Sequence, residues 1–433
     1  MGNPVNFYGK SISTRLGFDG IETSEVSGSS TSNNVSQLAS AFTIKRMLVE
    51  RVVSPGANNT ITWTLVKNDS DTAMKVSLFS SDTFVYMDTD ISVSQNDQLY
   101  TKAAYVGTIT YNTSTFYNIS YLIDGGGIQN FFGIAREQNL SVATKEVPLK
   151  GSWQYSNVGN DRFPLIFSTN GTIKDFFLTS SEPLFNVNSS GIDEYKIDLN
   201  LSGVGTSKLL LINDTVGVSY SSVINKAVLK NDSCTINRSG NFANPELNTN
   251  AFLNYSLTFE AATAGNYVYG ITSEEPPNIG TFFSPASGVL QGFRTYERYV
   301  TTPLAGTITN LLAVVPSVVG NQGTMTITLR KNSIDTALSF SFSSNTLTGE
   351  STGSISVEAG DKISIKLVDE GTIPSGTARV HISWTFNSSI TNYYPVFWSD
   401  DCSGVLQAAQ DISPPINFYS RSDAQPINFY SLP

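Results

Sequence analysis

At 433 residues the chain is long enough for two to four domains with sizeable cores. Only 14% of its residues are charged, the net charge is −10, and no Lys/Arg cluster occurs, which argues against nucleic acid or an anionic membrane as partner. No stretch approaches the length of an apolar span, so membrane insertion is not expected either, and Ser, Thr, Asn and Gly fill the polar positions instead.

Residues 1–34 read as an N-terminal arm. They are rich in Ser, Gly and Asn, and Met1 to Lys10 has no apolar core, so no secretion signal is expected. The arm opens on Pro4-Val-Asn-Phe-Tyr8. That motif returns at the other end as Pro415-Ile-Asn-Phe-Tyr419 and Pro426-Ile-Asn-Phe-Tyr430. Proline fixes an extended start and the aromatic pair offers a large contact area of low entropy. The expected docking residues are therefore Pro4, Phe7, Tyr8, Pro415, Phe418, Tyr419, Pro426, Phe429 and Tyr430. They would insert into a groove or add a strand to a neighbouring subunit. The alternative is a tail that packs on this protein's own sandwich.

Residues 35–135 form the first globular unit, and part of it is written twice. Residues 43–102 align with residues 307–366 without a gap, 264 positions apart, with 20 identities over 60 positions. These include Lys67-Asn68 with Lys331-Asn332 and Asp71-Thr72-Ala73 with Asp335-Thr336-Ala337. Shared composition would not hold one register that long, so this is an internal repeat. The unit alternates with period two: Met325, Ile327 and Leu329 interleave with Thr324, Thr326 and Thr328. One strand face is then apolar and the other hydroxylated. Leu338, Phe340 and Phe342 continue the pattern after a polar hairpin connection. Ala359-Gly-Asp361 is a turn, and the closing strand of the second copy contains Ile382-Ser383, matched by Ile119-Ser120.

The order of these pieces, TMTITLRKNSIDTAL, SISVEAGDKISIKL and VHISWTF, resembles the TNF/C1q-type jelly roll. Versions of it occur at the tips of bacterial spore-surface filaments and in particle-surface proteins of phages and large DNA viruses. The resemblance implies an all-β fold of two or three tandem antiparallel jelly-roll sandwiches. It also implies trimeric assembly, for which tandem copies in one chain can substitute.

Residues 145–260 read as a divergent second sandwich, with Gly171-Thr-Ile173 resembling Gly306-Thr-Ile308 and residues 251–259 resembling residues 378–386. Residues 261–299 read as a link, although Phe293–Tyr299 could be an edge strand or an interface. The third unit, a jelly roll, is placed at residues 285–387, and residues 388–433 form a C-terminal arm carrying the repeated PINFY motif.

Chemistry is sparse. The single histidine, His381, is replaced by Asn118 in the other copy, so no Ser-His-Asp triad is expected. The two cysteines, Cys234 and Cys402, read as buried thiols or as one disulfide. Asp88-Thr-Asp90 and Asp400-Asp401 are the only candidate calcium loops, and they lack EF-hand spacing. No cofactor, metal or catalytic residue is expected. The sequence thus points to a non-enzymatic structural protein of a virus particle, a minor capsid, vertex or fibre component located in the virion. Its partners would be other particle subunits or further copies of itself. The rival is an adhesin that binds host glycan through exposed loops such as Phe84-Val-Tyr-Met87.

Overall fold

The structure is a computed structural model. It describes residues 36–37, 40–51, 60–68, 70–79, 82–95, 97–106, 117–136, 145–148, 151–154, 164–180, 194–201, 206–213, 219–241, 252–273, 280–290, 297–314, 324–343, 348–370 and 380–400. The first run of strands is β1 (Ser36–Gln37), β2 (Phe42–Arg51), β3 (Thr60–Lys67), β4 (Ser70–Leu78), β5 (Phe84–Val93), β6 (Gln98–Val106) and β7 (Tyr117–Asp124). The second is β8 (Ile128–Arg136), β9 (Lys145–Pro148), β10 (Gly151–Gln154), β11 (Leu165–Ile166), β12 (Gly171–Ser180), β13 (Glu194–Leu201), β14 (Thr206–Asn213), β15 (Ser219–Val228), β16 (Ser233–Asn241) and β17 (Phe252–Ala261). The third is β18 (Asn266–Ser273), β19 (Gly280–Pro285), β20 (Gly288–Leu290), β21 (Val300–Thr301), β22 (Gly306–Val314), β23 (Thr324–Lys331), β24 (Ile334–Ser343), β25 (Thr348–Val357), β26 (Lys362–Asp369) and β27 (His381–Ser388). One more strand follows, β28 (Tyr393–Asp400).

These strands make three sandwiches, antiparallel except where β10 runs parallel to β8 and β20 to β18, and the protein is all-β as expected. The first pairs sheet β28-β7-β2-β5 with sheet β1-β6-β3-β4. The second pairs β10-β8-β17-β12-β15 with β11-β16-β13-β14, and the third pairs β20-β18-β27-β22-β25 with β19-β26-β23-β24. Within each unit the chain crosses between its two sheets: one strand, then a hairpin in the other sheet, then back twice. That is jelly-roll connectivity. The alternation read from the sequence drives it. Ile61, Trp63 and Leu65 of β3 are buried against Ile44 and Val49 of β2, with Ile119 and Ile123 of β7. Met325, Ile327 and Leu329 do the same work in the third unit.

The pairing registers equate the three units residue by residue. Ile44 lies opposite Ile123, Ile173 opposite Phe259 and Ile308 opposite Phe386, and each ladder slips register just beyond that isoleucine. Ser120, Ser256 and Ser383 are equivalent too, facing Leu48, Phe177 and Leu312, and all three serines are buried.

The sheets cut across the expected divisions. Residues 261–299, read as a link, supply β18, β19 and β20 to the third sandwich. Phe131 and Phe132, assigned with the first unit, lie on β8 in the second. The arm expected from residue 388 yields β28, which pairs along its whole length with β7 of the first sandwich. Pro395 is tolerated within it because β28 is an edge strand, where a proline's missing N–H can face away from the ladder.

The duplicated Lys-Asn is a structural clip. Asn332 and Ser333 both have positive φ, 52° and 65°, the signature of a two-residue type I′ hairpin, and Asn68 has φ 49°. Asn332 Nδ2 donates to Asp361 Oδ1 (2.7 Å), and Asn68 Nδ2 donates to Asp97 Oδ1 (2.6 Å). The hairpin is thereby tied to the turn between β25 and β26, or between β5 and β6. Asn332 Oδ1 also accepts from the Lys362 N–H (2.9 Å). Asn332→Ala loses both bonds and the residue's tolerance of positive φ, so a destabilisation of about 1–3 kcal/mol is expected. An unchanged melting temperature would show that the clip contributes nothing.

Candidate functional site: the junction and the aromatic edge

β8, β18 and β28 are the equivalent strands of the three units, and they meet. Gln129 of β8 donates through Nε2 to the Val268 carbonyl (2.9 Å) and accepts at Oε1 from the Val268 N–H (2.8 Å). The Tyr267 and Tyr394 rings, of β18 and β28, lie 5.0 Å apart. The Tyr394 hydroxyl accepts from both the backbone N–H and Nδ2 of Asn130 on β8, each at 3.1 Å. Gln129, Tyr267 and Tyr394 hold the same register position, and all are buried. A buried amide with every polar atom matched fixes orientation, because any rotation of one unit leaves it unpaired.

A charged cluster joins the first unit to the third. Glu50, 3% exposed, accepts from Tyr299 (3.2 Å), from Thr301 and from Lys362 (2.7 Å). Burial pushes the Tyr299 hydroxyl up to about 12, with Glu50 adding to the effect and Lys362 opposing it. Beside the cluster, Ser120 Oγ donates to the Thr301 carbonyl (2.6 Å) and Arg46 Nη1 to the Pro303 carbonyl (2.9 Å). Phe293–Tyr299 had been read as edge strand or interface. Of its described residues, 297–299, Tyr299 is at the interface through Glu50, Arg298 is buried, and Glu297 pairs with Arg330 within the third unit (2.9 Å). The second and third units meet through Thr385 and Ser168 (2.8 Å) and through Lys230 with Glu350.

Facing solvent is the edge of β5. Phe84 and Tyr86 are 38% and 53% exposed, while Val85 and Met87 between and beyond them pack on the core. The stretch read as a loop is therefore a strand. The two rings lie 6.1 Å apart, and the Arg46 guanidinium sits 4.8 Å from the Tyr86 ring centre.

No protein-family model and no curated protein matches the chain. Three solved structures give the following alignments. One is described as "The Triple Jelly Roll Fold and Turret Assembly in an Archaeal Virus": 9% identity, TM-score 0.15, covering 84% of this chain and 81% of that one. Another is "Life in the extremes: atomic structure of Sulfolobus Turreted Icosahedral Virus": 10% identity, TM-score 0.16, covering 90% and 89%. A third is "Structure of infectious bursal disease virus Gx strain": 9% identity, TM-score 0.16, covering 81% of this chain and 66% of that one, just under two thirds of its length. At these TM-scores the alignments carry no argument about function.

The nine docking residues, Pro4, Phe7, Tyr8, Pro415, Phe418, Tyr419, Pro426, Phe429 and Tyr430, lie outside the described residues, as does Cys402. Cys234 is a buried free thiol whose pKa burial pushes upward. His381 is a buried strand residue. Asp88 and Asp90, one of the two candidate calcium loops, are engaged by Arg46 and by Lys45 (2.7 Å). Among the described residues no cluster of His, Cys, Asp or Glu suited to a metal is present, and no helix is long and apolar enough to cross a membrane.

The turn aspartates set an acid limit. Burial works against the charge of Asp361, but Lys331, the Glu358 N–H and Asn332 outweigh it and hold its pKa below the usual 3.8. Asp97 is held low in the same way, against burial, by the Ser94 N–H, Asn68 and Lys67. Lys366 lowers Asp335, with Arg330 adding to it. A depressed carboxylate stabilises the fold above its unfolded value and loses that contribution as pH falls through its folded value. The melting temperature should therefore hold steady from neutrality to about pH 5 and fall below about pH 4, and Asp361→Asn should flatten that fall.

Proposed function

We propose that this chain is a structural component of a virus particle, a minor capsid, vertex or fibre subunit. The observation that carries the reading is the closed ring: three sandwiches share one buried junction, and β28 completes the first of them. One chain thus supplies the three-lobed block that the TNF/C1q-type resemblance would assign to three subunits, and this arrangement supports that kinship as well. The polar matching at the junction gives the block a fixed shape, which suits a lattice position.

The segments before Ser36 and after Asp400 both leave from the first sandwich, since β1 and β28 belong to its two sheets. Three PINFY-type motifs would then act from one lobe as tethers, weak singly and strong together through effective concentration. The test is deletion of residues 411–433. Incorporation into the native assembly should fall at least tenfold (about 1.4 kcal/mol) while the melting temperature stays that of the full chain. Equal incorporation would refute the tether, and imaging that finds the chain outside any particle would refute the structural role.

A further inference from the structure

The aromatic edge of β5 has no counterpart in the other two units, although they share its fold and register. Phe84 and Tyr86 lie opposite Glu50 and Leu48. The same places hold Thr348 and Glu350, opposite Val314 and Leu312, in the third unit, and Ser219 and Ser221, opposite Thr179 and Phe177, in the second. The fold therefore does not require rings there. It has a different use for the Tyr86 position: Glu350 reaches across to Lys230 of the second sandwich, two residues before that unit's turn aspartate, Asp232. The residue two before the third unit's turn aspartate, Asp361, is Ala359, exposed and uncharged. Where the second and third units are bridged by an ion pair, the first presents an open aromatic surface.

From this we infer that Phe84 and Tyr86 form a stacking platform for a neutral saccharide. The rings offer flat apolar faces to the apolar face of a pyranose. The polar groups beside them are already neutralised: Arg46 is forked onto Asp88, with its second bond at 2.9 Å, and its remaining Nη1 bond goes to Pro303. An anionic sugar would find no free cation in this pair, whereas a hydroxyl can donate to the spare lone pairs of Asp88. The ring centres lie 6.1 Å apart and the ring planes are inclined by 59°, so the two faces meet one or two sugar residues at an angle to each other. A folded partner needs about 800 Å² per side, far more than two rings supply. The inference goes beyond the structural role and can fail without touching it.

The experiment uses the full chain against an array of neutral oligosaccharides of two to six units, printed beside sialylated and sulfated ones. The best neutral binder is then titrated against variants. Phe84→Ala/Tyr86→Ala should weaken binding by ~10-fold or more with an unchanged melting temperature. Tyr86→Phe should stay within ~3-fold, and Thr348→Ala, the same place in the third unit, should change nothing. Four results would overturn the platform: no neutral glycan bound at about 10 mM; binding that survives the double substitution; binding of acidic glycans alone; or a Pro-Ile-Asn-Phe-Tyr peptide captured in a Phe84/Tyr86-dependent way while sugars are not.

Discussion

Glu50→Ala is expected to destabilise the protein by about 2–3 kcal/mol and to loosen the first unit from the third. Removing one member of a buried charge pair leaves its partners desolvated and unmatched, typically at 3–5 kcal/mol. Here the Lys362 side chain is 38% exposed and can turn to water, so the lower figure applies. Tyr299 and Thr301 cannot turn away, because both are buried. Glu50→Gln keeps an acceptor and should cost about 1 kcal/mol. Hydrogen exchange locates the effect: the amides of β2 and β21 should lose protection while β13 in the second unit keeps it. Equal loss in all three units would mean that Glu50 supports the whole ring and not one interface. An alkaline limit follows from the same contact. Burial opposes the charge on Lys362, but Glu50 and Tyr299 outweigh it and lift its pKa above 10.5. That contribution is complete below pH 10.5 and is lost above it.

The repeat made much of this fold legible, and its limits are physical. Period-two alternation marked β3, β4, β23 and β24, because a strand with one buried face has no other way to arrange its side chains. The offset of one residue between the closing strands, which matched Ile119-Ser120 to Ile382-Ser383, is one residue less of chain between Lys366 and Ile382 than between Lys102 and Ile119, whereas the register slip that follows Ile44 and Ile308 is common to both copies. The signal fails where a strand is buried on both faces. Phe131-Phe132, Tyr267 to Ile271 and Tyr394 to Phe397 do not alternate, because one face fills a sandwich and the other meets a neighbouring unit. Composition alone places such stretches in links and tails. The Glu50 cluster was equally hidden: its members lie about 250 and 310 positions apart, |i−j| being 251 for Thr301, and no local pattern announces a contact of that range. A search for three aromatic-rich segments, each directly following a closing strand, would have found β8, β18 and β28.

Those three strands lead to the largest effect. Ending the chain at residue 392 removes β28 and should abolish cooperative folding of the first sandwich. Tyr394, Val396 and Phe397 are buried, and each such side chain contributes about 1.5–3 kcal/mol by burial. Their combined loss, roughly 5–9 kcal/mol, is comparable with the whole stability of a typical domain. The cut also strips β7 of its edge partner and leaves Asn130 without the Tyr394 hydroxyl. A chain ending at residue 400 keeps β28 and should melt like the full protein, so the pair of truncations separates strand from tail. Hydrogen exchange in β2 and β7 should collapse in the shorter chain only. A synthetic peptide of residues 393–400 should restore protection when added in excess, since an extended segment can dock on a free sheet edge. If the shorter chain keeps its protection without the peptide, β28 is an accessory strand, and the three sandwiches are held together by β8, β18 and the Glu50 cluster instead.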